Sequence, residues 1–251
     1  MKTLIVILLL AFTAHAQTVL FSRSSAFHVF TPANISGLQI WADATQESGS
    51  DSTAIEPSDW SGNNRDFAQA TSGSRPLLRT GANGINNQNA FQFDGTDDRA
   101  SATYSQARPH TIFLVYVSTS NTGRTLSSDG VGAGTYNWLF GSHITGSRWW
   151  YANAVVGAAG GSTGTTYLLR AEADTGDSEY FSSGVSVASS AATGNWGDHL
   201  NMGAANQALD GGGGGNEYFT GKIGEVIVYD RILTSGEVTL LEAYLTDKWF
   251  P

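Results

Sequence analysis

Tyr218–Trp249 reads YFTGKIGEVIVYDRILTSGEVTLLEAYLTDKW, and this stretch decides the fold class. Its first part, to Tyr229, is rich in β-branched and aromatic residues and predicts a strand. A helix then starts near Thr234. Thr234, Ser235, Gly236 and Glu237 form a capping box, in which the hydroxyl takes an orphan amide and the carboxylate reaches back to the cap. Val238, Leu241, Leu245 and Trp249 follow on one stripe at helical spacing, so this stripe faces a core and not a ligand.

Working outward from that stretch, short strands alternate with turns. LQIWADA (Leu38–Ala44) is one strand, and AFQFDG (Ala90–Gly95) carries Phe91 and Phe93 on one face before a turn. TIFLVYVST (Thr111–Thr119) has the composition of a central buried strand. Further strands are expected at Asn137–Gly141, Ser147–Val156, Tyr167–Ala173, Glu179–Ser189, His199–Gly203 and Tyr218–Tyr229. Gly, Asn, Asp and Ser fill nearly every gap. Many strands with one terminal helix imply an all-β, two-sheet antiparallel sandwich with a short C-terminal helix.

Four segments resemble the laminin-G-like jelly-roll domains of the concanavalin A-like lectin/glucanase superfamily. They are ISGLQIWADA (Ile35–Ala44), DWSGNNRDFAQ (Asp59–Gln69), FDGTDD (Phe93–Asp98) and the C-terminal stretch that opens this section. The resemblance covers Ile35–Trp249 and implies a jelly roll. It implies little about activity, because this fold carries many unrelated functions. Gly224 departs from the pattern: many relatives have Asp or Ala before Glu225, which removes the support for a metal or polar role there.

Residues Met1–Ala16 read as a secretory signal: Lys2, an apolar run Leu4–Phe12, then Ala14-His15-Ala16 before Gln17. The run is shorter than the roughly 20 residues of a membrane span, so no membrane insertion is expected once the signal is cleaved. The domain plan is a signal at 1–16, an arm at 17–34 and a sandwich domain at 35–251. In the arm, TVLF (Thr18–Phe21) and FHVF (Phe27–Phe30) are apolar and strand-like. They either pack on their own domain or pair with a neighbouring copy, giving self-association through Thr18–Phe30. There is no cysteine, hence no disulfide. A net charge of −9 with 14% charged residues argues against nucleic acid, whose phosphates require a basic face. An uncharged polar surface with tryptophans suits neutral sugars.

Three site chemistries bear on this sequence. Paired carboxylates are the first, because glucanases share the superfamily. Glu172 and Asp174 come nearest, but Gly176 and Asp177 turn the chain directly after them, and the segment reads as a solvated turn. No catalytic residue is assigned, and no enzyme activity is expected. Calcium is the second. Asp94, Asp97 and Asp98 in a Gly-containing turn form a partial oxygen cage. The same residues would also make an Asx turn, with Asp97 and Asp98 facing water. The histidines (15, 28, 110, 143 and 199) show no zinc spacing. Sugar stacking is the third. Trp149, Trp150 and Tyr151 share a predicted strand, so Trp150 points opposite to its neighbours. Trp149, Tyr151, Trp138, Asn137 and Trp196 are the candidate ligand residues, against the alternative that these aromatics are core.

These readings favour a secreted or cell-surface, non-catalytic module that binds a polysaccharide or glycan, with calcium as the candidate cofactor. A self-assembling filament or virion protein is the rival, and a glycoside hydrolase or lyase the third.

Overall fold

The computed structural model describes residues 29–105, 108–120, 123–128, 138–143, 147–152, 155–159, 161–174, 176–191, 197–204 and 217–251, with 147–152 and 155–159 described as backbone alone. In chain order the strands are β1 (Leu38–Asp43), β2 (Thr53–Ala54), β3 (Leu77–Arg79), β4 (Ala90–Asp94), β5 (Ala100–Thr103), β6 (His110–Ser118), β7 (Leu126–Ser128), β8 (Trp138–His143), β9 (Ser147–Ala152) and β10 (Val155–Ala159). They continue with β11 (Thr166–Ala173), β12 (Ser178–Ser182), β13 (Val185–Ser190), β14 (His199–Met202) and β15 (Thr220–Tyr229), and the helix α1 (Ser235–Trp249) follows. No helix among the described residues is long and apolar enough to cross a membrane.

The strands form two antiparallel sheets. The larger runs β13-β12-β11-β6-β15-β4-β3-β2, and the smaller β10-β9-β8-β7-β14-β5. Strand β15 is the axis of the larger sheet. One of its edges pairs with β6, and the other is shared between β4, along Thr220–Ile223, and β1, along Glu225–Tyr229. The inter-sheet core holds Phe91, Phe93, Leu114, Tyr116, Trp138 and Phe140. A second core, with Trp41, Phe113, Ile227, Leu241, Leu245 and Trp249, lies between the larger sheet and α1. Both faces of β6 are therefore buried, which explains its unbroken apolar run. The capping box forms as expected, and the bonds from Arg231 and Thr234 hold the Glu237 carboxyl down at about 2.

A bulge in β15 sets the chemistry beneath the helix. Ile223 pairs with Tyr116 and Glu225 with Val115, so Gly224 is the extra residue. Gly224 and Glu225 thus both face α1. A Cβ at 224 would lie 2.7 Å from the Trp249 ring, so the close approach of that indole requires glycine. Glu225, 1% exposed, accepts from Trp41 Nε1 (2.7 Å), Trp249 Nε1 (2.8 Å), Tyr244 OH (3.0 Å) and Lys248 Nζ (2.9 Å). Lys248 also donates to buried Asp43 at 2.6 Å. Burial and the nearby Asp43 charge push the Glu225 carboxyl up.

The other edge of β1 is closed by the Asp59–Arg65 turn and not by a strand. Trp60 N–H and Ser61 Oγ donate to the carbonyls of Trp41 and Gln39, and Asn63 Nδ2 donates to those of Leu38 and Gln39. Asp59 accepts from Trp41 N at 3.0 Å, and Arg65 donates to the Gln39 carbonyl at 3.0 Å while its guanidinium sits over Tyr104. The DWSGNNRDF segment is thus an edge clamp, which satisfies backbone groups that would otherwise template another strand.

The structure corrects some sequence boundaries. The strand expected over Ser147–Val156 is two strands, β9 and β10, paired as a hairpin. Strands β2, β3, β5 and β7 had not been anticipated. The signal segment, residues 1–16, lies outside the described residues, as does residue 17 to residue 28 of the arm. Of the described remainder, Phe30 packs edge-on against Tyr244, and Tyr229 OH donates to the Pro32 carbonyl at 2.8 Å, both contacts within the chain.

Candidate metal centre and ligand face

Strand β4 alternates so that Phe91 and Phe93 enter the inter-sheet core, and Asp94 emerges at its end. Gly95, at φ +78°, turns the chain there. Asp94 Oδ1 accepts from the backbone N–H of Thr96 (2.7 Å) and of Asp97 (3.3 Å), and Asp98 Oδ2 accepts from Asp94 N–H at 2.9 Å. Asp97 Oδ2 accepts from the Ser74 hydroxyl at 2.8 Å. The turn is thus held by reciprocal bonds that use one oxygen of each carboxylate.

One oxygen from each of Asp94, Asp97 and Asp98 lies within 4.8 Å of the others. Calcium binds oxygen at about 2.3–2.6 Å, so ligands on opposite sides of one ion stand about 4.6–5.2 Å apart. The three carboxylates therefore fit within a single coordination sphere, and the donors are the hard oxygens that calcium takes. Among the described residues this is the one group of His, Cys, Asp and Glu drawn together tightly enough to hold a metal.

Charge is concentrated at this turn. Burial, together with the Asp94 and Asp97 charges, pushes the Asp98 carboxyl up to about 6. Burial also acts on Asp94, but the N–H groups of Thr96, Asp97 and Asp98 outweigh it and hold its carboxyl below the ordinary value. The Asx turn at Asp94 is present as the alternative reading expected. Asp97 and Asp98 do not simply face water, however: Asp98 is 5% exposed and Asp97 is tied to Ser74.

The proposed sugar-stacking residues are placed unevenly. Trp138 is a correction. It is 1% exposed and packs beside Phe140 in the inter-sheet core, because β8 turns both residues toward the other sheet. It offers no ring to a ligand. Trp149 and Tyr151 lie in β9, in register with Gly141 and Leu139 of β8, and their side chains lie outside the described part of the structure. Asn137 and Trp196 lie outside the described residues.

Sequence reasoning missed Trp60. It is 40% exposed, and among the described residues it is the one aromatic among the large exposed hydrophobic residues. The signal was its place in the polar Asp59–Asp66 turn, where no strand alternation calls for a core aromatic. Glu172, the nearest match to a catalytic carboxylate, lies on β11 beside Arg170, with which it pairs; Arg170 also pairs with Glu242 of α1 at 3.2 Å. Asp174 N–H bonds the Asp177 carbonyl at 2.8 Å across Gly176, which makes the expected turn.

No known protein family's profile matches the chain, and no curated protein matches it. Solved structures do. The sialidase of Trypanosoma rangeli in complex with sialic acid matches with a TM-score of 0.56 at 14% identity, over 85% of this chain and 33% of the sialidase. Domain 4 of AbnA, a GH43 extracellular arabinanase from Geobacillus stearothermophilus solved with arabinotriose, matches at 0.52 and 15% identity, over 82% of this chain and 98% of that domain. The receptor-binding domain of botulinum neurotoxin D matches at 0.52 and 12% identity, over 85% and 54%. The chain thus spans about a third of the length of the sialidases it matches. At these identities the likeness establishes a shared β-sandwich fold.

Proposed function

We propose that this chain is a secreted, non-catalytic glycan-binding module of the laminin-G/concanavalin A-like type, and that calcium bound by Asp94, Asp97 and Asp98 stiffens its rim. The observation that carries the reading is the match to arabinanase domain 4. There the likeness takes in 98% of a self-contained domain, and that domain was solved with arabinotriose. The sialidases, by contrast, match over a third of their length. The bonding of Glu172 supports the non-catalytic reading, since its carboxylate is engaged by Arg170.

The role of calcium follows from the charge at the rim. A divalent cation would offset the burial and the Asp94 and Asp97 charges that oppose ionisation of Asp98, and it would lock the β4–β5 turn. The test is a glycan array probed with purified Gln17–Pro251, in calcium and in chelator. Binding to a defined set of glycans supports the module, and loss of signal in chelator supports the calcium role. A blank array in both conditions overturns the proposal. Turnover of any arrayed polysaccharide overturns the non-catalytic part.

A further inference from the structure

The geometry points to Trp60 as an exposed stacking platform for an uncharged sugar ring. This inference rests on the glycan-binding reading and names a site for it that the sequence candidates do not include.

Trp60 is 40% exposed, on a turn that it shares with exposed Asn63, Asn64 and Asp66. The backbone of Trp60 is held in place. Its N–H donates to the Trp41 carbonyl of β1 at 2.8 Å, which fixes the turn to the sheet edge. On the other side of the turn, Glu47 accepts from Ser58 N at 2.7 Å and Ser58 Oγ at 3.2 Å. The flanking Asp59 is itself tied down, through Trp41 N, Ser61 N and Arg65 N. The backbone that carries the ring is thus fixed before any ligand arrives, so the turn itself has little ordering entropy to lose on binding.

An aromatic face on a fixed turn at a polar surface suits a flat, partly apolar, hydroxyl-rich partner. The same turn exposes Asn64, an amide able to exchange hydrogen bonds with hydroxyls. Charge selects within the sugars. Asp59 and Asp66 give the turn two carboxylates, with Glu47 bonded to Ser58 beside it, and Arg65, the cation of the turn, is engaged by Gln39 and Tyr104. Acidic sugars such as uronates and sialic acid would meet like charge. A neutral pyranose or furanose would not.

The test is affinity electrophoresis of the full secreted chain through gels holding neutral polysaccharides (arabinan, xylan, glucomannan) or anionic ones (polygalacturonate, polysialic acid). Wild type, Trp60→Ala, Trp60→Phe and Trp149→Ala are compared, with thermal melts to confirm folding. The expected result is retardation in at least one neutral gel and none in the anionic gels. Trp60→Ala should weaken that binding at least tenfold, and Trp60→Phe should retain part of it. Retardation that survives Trp60→Ala but is lost in Trp149→Ala would overturn this site and leave the glycan-binding reading standing. Binding to anionic gels alone would overturn the neutral-sugar assignment. A wild-type chain that no gel retards would overturn both.

Discussion

Replacing Lys248 by Met should destabilise the fold by about 3 kcal/mol at pH 8. Lys248 is the ammonium that serves both Asp43, at 2.6 Å, and Glu225, at 2.9 Å, and each carboxylate is 1% exposed. Methionine keeps the aliphatic stem and removes the charge, which leaves two buried carboxylates facing each other. Breaking a buried ion pair costs roughly 3–5 kcal/mol. The lower end applies here because the Lys248 side chain is 15% exposed and water can reach part of the gap. In a domain of this size each kcal/mol moves the midpoint by roughly 2–4 °C, so the melting temperature should fall by about 6–12 °C. The pH dependence makes the test specific. Burial and Asp43 already push the Glu225 carboxyl above its ordinary value, and loss of Lys248 pushes it further. A carboxyl raised in the folded state takes up a proton more readily there than in the unfolded chain, so the fold gains relative stability as pH falls. The gap between wild type and variant should therefore be widest at pH 8 and should narrow toward pH 5. Urea denaturation of both proteins across that range, with Glu225→Gln and the double variant completing a cycle, measures it. A deficit below about 1 kcal/mol, or one that is equal at pH 8 and pH 5, would refute this account of the cluster.

Gly224→Ala places a Cβ 2.7 Å from the Trp249 ring, and that indole is pinned by Glu225, so it cannot swing aside freely. A loss of about 1–3 kcal/mol is expected in the same denaturation assay. Calcium should raise the melting temperature, by the equivalent of about 2.7 kcal/mol at a hundredfold excess over its dissociation constant. Asp98→Asn should abolish that rise. In chelator at pH 7 the same variant should be no less stable than wild type, because the Asp98 charge is opposed by burial, Asp94 and Asp97. The wild type in chelator should gain stability from this group as pH falls through about 6, where the folded carboxyl takes up its proton ahead of the unfolded one.

What could be read ahead of the structure was set by local chemistry. The capping box, the apolar stripe of α1, the core run of β6 and the Phe91/Phe93 alternation each lie within a few residues, and each formed as read. The short strands did not declare themselves. Strand β5 is Ala-Ser-Ala-Thr, whose small side chains carry no β signature, and it exists because β14 supplies a partner. The Asp94–Asp98 turn was legible as an acid cluster. Its asymmetry was not, because Asp98 is buried by the packing of the turn and Asp97 is held by Ser74.

The aromatic residues show where sequence reasoning runs out. Strand alternation fixes that neighbours oppose one another, but not which of the two faces meets the other sheet. Trp138, a platform candidate in the sequence, is core, because the even positions of β8 turn inward. Trp60, on the polar Asp59–Asp66 turn, is exposed. That turn does carry the structural role, through the bonds it makes to β1. Those bonds use its backbone amides together with Asp59, Ser61, Asn63 and Arg65, and they leave the indole ring out of the clamp. Because the clamp works without the ring, loss of stability on removing it should be small. A change in glycan retention in Trp60→Ala, with an unchanged melt, would therefore report on binding alone.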